Sequence, residues 1–202
     1  MARISSLQLG RNVTRPKESA VANIGRVETY VVLSGLVRLL KQQFNTGLDH
    51  AGKTIGQPTA FHVGVALNMG AEDLDKEIKT LRRKIEAGAD YALTQPVYES
   101  GVCRRFVEMY RARLGALPIP ILMGLLPLAS VRNAEFIHNE VPGLALPLSI
   151  LERMRAAGKG ARKEGIHICQ ELLLEARAQI QGVYVMPMME RYESVMEIME
   201  VL

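Results

Sequence analysis

Residues 84–98, Lys84-Ile85-Glu86-Ala87-Gly88-Ala89-Asp90-Tyr91-Ala92-Leu93-Thr94-Gln95-Pro96-Val97-Tyr98, carry the chain out of a helix and into a strand. On the helix side, Leu74, Ile78, Leu81 and Ile85 fall at i, i+4, i+7 and i+11, the apolar face of an amphipathic helix. Gly88 stands where a C-terminal cap belongs, because the left-handed backbone that ends many helices suits glycine. Asp90 to Gln95 then reads as a strand, and Pro96 halts it because proline brings no N–H to a ladder.

The same cycle recurs on both sides. Upstream, Phe61-His62-Val63-Gly64-Val65-Ala66-Leu67 is a short apolar run suited to a strand buried on both faces, broken by Asn68-Met69-Gly70. Downstream, Val102, Phe106, Met109 and Tyr110 mark a helix. Ile119 to Leu126 is a third strand stopped by Pro127, and Val131, Ala134 and Ile137 begin the next helix. Further helices are predicted over 148–156 and 161–180. Gly182-Val183-Tyr184-Val185-Met186 is a fourth strand closed by Pro187, and a last helix carries Tyr192, Val195, Met196 and Met199. Ahead of the first strand, Leu33, Leu36, Val37, Leu40 and Phe44 predict a helix over 30–45. Residues 1–28 show no period and read as an N-terminal arm, which leaves 29–202 as the domain. Four strand-then-helix units predict an α/β fold with a parallel sheet and right-handed crossovers. The turns at Asn68, Gln95-Pro96, Pro127 and Met186-Pro187 then share one edge, and ligands of such folds sit at the C-terminal strand ends.

Composition narrows the classes. The 202 residues suffice for one sizeable core, and 48% apolar with 23% charged residues is a globular balance. No run approaches the roughly 20 apolar residues of a membrane helix. The first residues lack the apolar core of a secretory signal, so the expected address is cytoplasmic. In that setting the sequon Asn12-Val13-Thr14 carries no glycan, and the widely separated Cys103 and Cys169 read as reduced core thiols. The net charge of +4 is mild. Arg104, Arg105, Arg111 and Arg113 read as a solvated helix face, compatible with a small anion. Nucleic acid would need a continuous basic stripe with stacking aromatics, and the chain has no Trp.

Gly47-Leu48-Asp49-His50-Ala51-Gly52-Lys53-Thr54 matches the P-loop pattern letter for letter. That motif works only between a strand and a helix, whose N-terminal N–H groups hold phosphate. Here a helix precedes it, and Gly56 and Pro58 discourage a helix after it, so it is expected to be a connection.

The stretch from Lys84 through Ala87-Gly88-Ala89-Asp90 to Thr94-Gln95 resembles the signature of methylenetetrahydrofolate reductases. Pro120 to Leu128 is similar to the family's next strand, and Asn133-Ala134-Glu135-Phe136 to the helix start beyond it. Val141-Pro142-Gly143, Pro147 with Ile150 to Met154, Gly182 to Pro187 and Arg191-Tyr192-Glu193 continue the pattern in order. The version resembles most the bacterial subgroup in which a homocysteine methyltransferase domain precedes the reductase. The resemblance implies a TIM (β/α)8 barrel binding FAD. It implies reduction of methylenetetrahydrofolate to methyltetrahydrofolate with NAD(P)H, in the one-carbon chemistry of methionine biosynthesis.

By the same resemblance, Gln95 matches the glutamine that hydrogen-bonds the folate pterin, an edge that an amide suits as both donor and acceptor. Lys84 matches a lysine near the flavin, Glu77 an acidic flavin contact, and Gly64 to Ala66 the strand along the flavin. Phe136 matches an aromatic that stacks on folate or nicotinamide, and Tyr98 is placed to line the folate site. For each an ordinary role stays open: capping amide, solvated lysine, core aromatic. His50 and His62 are assigned no role.

The chain departs from the family pattern in one large respect. A closed barrel takes about 250 residues and eight strands, and four are counted here. The general-acid glutamate, expected from the family's first strand, and the flavin contacts of the next three are expected to be absent. The implied object is a partial barrel of about four C-terminal βα units, with two unpaired edges. Its alternative role is a non-catalytic half-barrel that associates with itself or with a complementary chain. An unrelated barrel lyase or aldolase would want a strand-end lysine or a late phosphate loop, and neither is found.

Overall fold

The computed structural model describes residues 33–99, 101–141, 143–144, 146–187 and 192–202. The 1–28 arm, residues 29–32, Pro142 and Arg191 lie outside the described residues.

Four strands, β1 (Gly64–Leu67), β2 (Tyr91–Pro96), β3 (Ile121–Leu125) and β4 (Gly182–Val185), form one parallel sheet in the order β1-β2-β3-β4. Helix α1 (Leu33–Arg38) precedes β1. Between strands run α2 (Leu74–Glu86), α3 (Val102–Leu114), and then α4 (Val131–Glu140), α5 (Leu148–Ala157) and α6 (Ala161–Ala176). Helix α7 (Glu193–Met199) follows β4. Strands added in one direction by crossovers of one hand put their helices on one face, as in a barrel wall. A doubly wound sheet reverses its order and is covered on both faces. The fold is therefore four consecutive units of a (β/α)8 barrel.

The helix-covered face is the core. Val65, Leu67, Ala92, Ile121, Met123 and Leu125 from the strands meet Ile78, Leu81, Phe106 and Leu172 from the helices, all buried. Asp73 caps α2 by accepting the Lys76 N–H at 2.9 Å, and Ser130 caps α4 by accepting the Asn133 N–H at 3.1 Å. The opposite face, which lines the interior in a complete barrel, is open: Ala66 and Gln95 are exposed, and Leu93, Leu122 and Tyr184 are half-buried.

That open face corrects one expectation. The run Phe61–Leu67 is not buried on both faces: β1 begins only at Gly64, Phe61 is exposed, and Ala66 faces solvent. The Phe61 carbonyl is held instead by the Lys41 amine and the Asn45 amide. The first helix also differs. α1 passes into a π-helical turn over Leu39–Gln43 and a 3-10 turn over Phe44–Thr46, with Val37 buried and Leu36 exposed. In α7 the buried residues are Ser194 and Ile198, whereas Tyr192 and Met196 are exposed. Contacts with α6 choose that face: Arg162 pairs with Glu197, and the Gln170 amide donates to the Glu197 carbonyl at 2.7 Å.

The P-loop look-alike is a closed hairpin connection. Leu48 bridges Thr54, and the Asp49 carboxylate accepts the Ala51 and Lys53 N–H groups at 2.8 Å. The loop's own anion occupies the N–H groups that a phosphate would need.

At the N-terminal edge of the sheet, Asp90 is a clamp. Its carboxylate receives the Lys41 amine at 2.9 Å and the Val63 N–H at 2.6 Å, which ties the π-helical turn after α1 and the approach to β1 to the start of β2. Gly88, at φ 108°, lets the chain turn against the Lys41 side chain. Burial pushes the Asp90 carboxyl up, but the Lys41 hydrogen bond and the Val63 N–H outweigh it and hold the group below the usual aspartate range. A depressed folded-state pKa adds stability that is complete above the unfolded value of about 3.9 and is lost as pH falls through the folded one. Asp90→Ala is expected to cost roughly 1–3 kcal/mol at neutral pH by leaving the Val63 N–H and the Lys41 amine without this acceptor. In thermal melts across pH, the gap between wild type and variant should narrow below about pH 4.

Candidate functional site

The C-terminal ends of β1 and β2 hold most of the residues singled out in the sequence. Lys84 is in the last turn of α2, yet its side chain turns inward: it is 5% exposed, and its amine donates to the Ala66 carbonyl at 2.6 Å. Glu77, seven residues earlier and so two turns away on the same face, accepts the Asn68 N–H at 3.0 Å. Lys84 and Glu77 therefore bind α2 to the end of β1 and to the turn after it. In that turn the Asn68 side chain accepts the Gly70 N–H at 3.1 Å. Ala66 itself faces the open side of the sheet.

Gln95 lies at the end of β2, exposed, and its side-chain amide makes no hydrogen bond among the described residues. It borders a small cleft of about 40 Å³ with Asn68, Gly70, Pro96, Tyr98 and Gly143. Tyr98 contributes its ring to the cleft wall but not a free hydroxyl: the group is buried and donates to the Leu126 carbonyl at 2.8 Å. Burial, with the Cys169 thiol nearby, pushes its ionisation well above the ordinary phenol range, so the hydroxyl stays protonated at neutral pH and committed to the Leu126 carbonyl. Phe136 is 57% exposed on α4, on the side away from buried Ala134 and Ile137, and does not border this cleft. Lys84, Glu77 and Ala66 are thus brought together, Gln95 and Tyr98 share the adjacent cleft, and Phe136 stands apart.

Both cysteines are free and buried, and burial pushes each thiol up to about 12. The Cys103 thiol lies 3.4 Å from the Met123 sulfur, inside the helix–sheet layer. Neither is poised as a nucleophile.

The methylenetetrahydrofolate reductase family model matches residues 15–202. The chain belongs to the methylenetetrahydrofolate reductase family. Within the family it is similar to methylenetetrahydrofolate reductase (NADH) 1 of Zea mays, 28% identical over 131 residues that cover 61% of this chain and 21% of that protein. It is also similar to methylenetetrahydrofolate reductase 2 of Schizosaccharomyces pombe, 23% identical over 163 residues, 78% of this chain and 25% of that one. The chain matches a quarter or less of the length of these reductases. Among solved structures, an uncharacterized protein from Clostridium thermocellum that binds two copies of 5-methyl-5,6,7,8-tetrahydrofolic acid aligns at a TM-score of 0.47 and 21% identity. That alignment covers 67% of this chain and 50% of that one.

Sequence reasoning about this reductase-family chain places the Asn68 turn, one wall of the cleft, at the ligand edge, but passes over the residues that set the geometry of β2 at Gln95. Gly124, a glycine inside the apolar run of β3, is the available signal, since such a glycine marks a close approach or a bulge.

Proposed function

We propose that this chain forms the folate-side portion of a flavin-dependent methylenetetrahydrofolate reductase. The observation that supports it is the Gln95 amide, exposed at a strand end beside a cleft and without a hydrogen-bond partner among the described residues, in a chain of this family. A pterin edge alternates donors and acceptors, and an unpartnered amide offers one of each.

The residues present suit FAD. Lys84 is a buried amine with one acceptor among the described residues, the Ala66 carbonyl. An ammonium has three N–H groups, which leaves donors for ribityl or phosphate oxygens. Ala66 presents a small side chain on the open face, where a flat ring could lie. Bound there, the flavin would supply two-electron transfer between NAD(P)H and the folate methylene carbon. In that reaction Lys84 would hold the cofactor, Glu77 would keep the Asn68 turn in place, and Gln95 would orient the pterin. The expected setting is the cytoplasm; among the described residues no helix is long and apolar enough to cross a membrane.

The test is NADH oxidation by the purified chain with FAD, with and without methylenetetrahydrofolate. Turnover that requires both additions is the expected result. A folded chain that gives none is not a reductase by itself, which favours the second reading, a half-barrel that needs a partner. The open inner face and the outer edges of β1 and β4, unpaired among the described residues, favour that reading, and two copies of four parallel strands would supply the eight of a barrel. Sedimentation equilibrium separates monomer from dimer.

A further inference from the structure

β2 does not run regularly to its end. Leu93 pairs with Leu122, yet the next pair is Pro96 with Gly124, so two residues of β2, Thr94 and Gln95, stand against the single Met123 of β3. This is a one-residue bulge, and a bulge re-aims the side chains that flank it.

Three residues on three strands hold it. The Thr94 hydroxyl, 2% exposed, accepts the Gly124 N–H at 2.9 Å, an amide that a regular ladder would give to a backbone carbonyl. The same hydroxyl donates to the Gln95 carbonyl at 2.7 Å. The Thr94 carbonyl receives the Tyr184 hydroxyl, which reaches across β3 from β4. It can cross because position 124 has no side chain: a Cβ there would stand 2.8 Å from the Tyr184 hydroxyl oxygen and 3.1 Å from the Thr94 carbonyl oxygen. Side chains thus take the Gly124 N–H and the Thr94 and Gln95 carbonyls at the bulge, and Gln95 borders the cleft.

We infer that Thr94 and Tyr184, acting across Gly124, form a latch that fixes the β2 bulge and so positions the Gln95 amide for ligand. Thr94 is a positioning residue, with Tyr184 as its second support. The inference deepens the role of Gln95 in folate binding and rests on it.

The experiment compares the full chain with Thr94→Val, Thr94→Ser and Tyr184→Phe by hydrogen exchange at the Gly124 N–H, the NMR shift of the Gln95 backbone amide, and titration with methyltetrahydrofolate and with FAD. In Thr94→Val, exchange at Gly124 should accelerate at least about tenfold and the Gln95 amide should move. Folate should bind roughly tenfold more weakly while FAD affinity stays unchanged. Thr94→Ser, which keeps the hydroxyl, should restore all three, and Tyr184→Phe should fall between. A folded Thr94→Val chain with wild-type Gly124 exchange and Gln95 shift, or a serine variant that restores nothing, overturns the latch. If Thr94→Val does not fold, Tyr184→Phe decides: an unmoved Gln95 amide overturns the latch, and a moved one supports it. A wild-type chain with no folate affinity defeats the folate reading instead, and the exchange and shift data still decide the latch.

Discussion

Gly165→Ala is expected to destabilise the chain by about 2–3 kcal/mol, seen as a fall in melting temperature of roughly 5–10 °C. Gly165 lies in α6 and is buried against the loop that leaves β3. An added Cβ would stand 2.0 Å from the Leu128 carbonyl oxygen, 2.9 Å from its carbon and 3.0 Å from its nitrogen. These are backbone atoms, so no rotamer change relieves the clash and the whole helix must move. Intrinsic propensity acts the other way, since alanine favours a helix over glycine by about 1 kcal/mol. The steric effect is larger because packed interiors yield little. Gly160→Ala is the control. That glycine has negative φ, and an added methyl would meet no atom within 4 Å, so the melting temperature of this variant should hold or rise slightly. The loop that Gly165 supports also leads to the Ser130 cap of α4, so a displaced α6 should disturb the C-terminal edge of the sheet.

The second large effect is on binding. Gln95→Ala should weaken methyltetrahydrofolate roughly 10- to 100-fold, because a buried ligand edge would lose both a donor and an acceptor. Stability should change by less than about 0.5 kcal/mol, since the Gln95 side chain is exposed and makes no hydrogen bond among the described residues. Titration calorimetry paired with thermal melts reads both. A large loss of stability with unchanged affinity would make Gln95 a structural amide.

The alternation of strands and helices is legible in the sequence because each unit is locally patterned: Leu74, Ile78, Leu81 and Ile85 mark α2, Pro96 is the last residue of β2, and Pro127 lies just past β3. The side of each element that is buried is less so. Phe61 to Leu67 reads as a two-sided core strand, yet nothing among the described residues covers the inner face, so its alternate residues meet solvent. Tyr192, Val195, Met196 and Met199 mark the last helix without fixing its buried side, which the Arg162–Glu197 pair and the Gln170 hydrogen bond set by turning Ser194 and Ile198 toward α6. At the site, family resemblance suggests the places of Lys84 and Gln95 but not their geometry. No periodicity announces that a helix lysine folds inward to a strand carbonyl 18 residues away, or that Thr94 takes a ladder hydrogen bond with its hydroxyl. Both depend on contacts between residues distant in sequence.

Flavin binding by this chain is tested most directly by a visible absorption spectrum of the purified protein after incubation with FAD and removal of the excess. The expected result is a retained flavin band that is bleached by NADH and restored by methylenetetrahydrofolate. A folded chain that retains no flavin would contradict the assignment of Lys84 and Ala66 to a cofactor site.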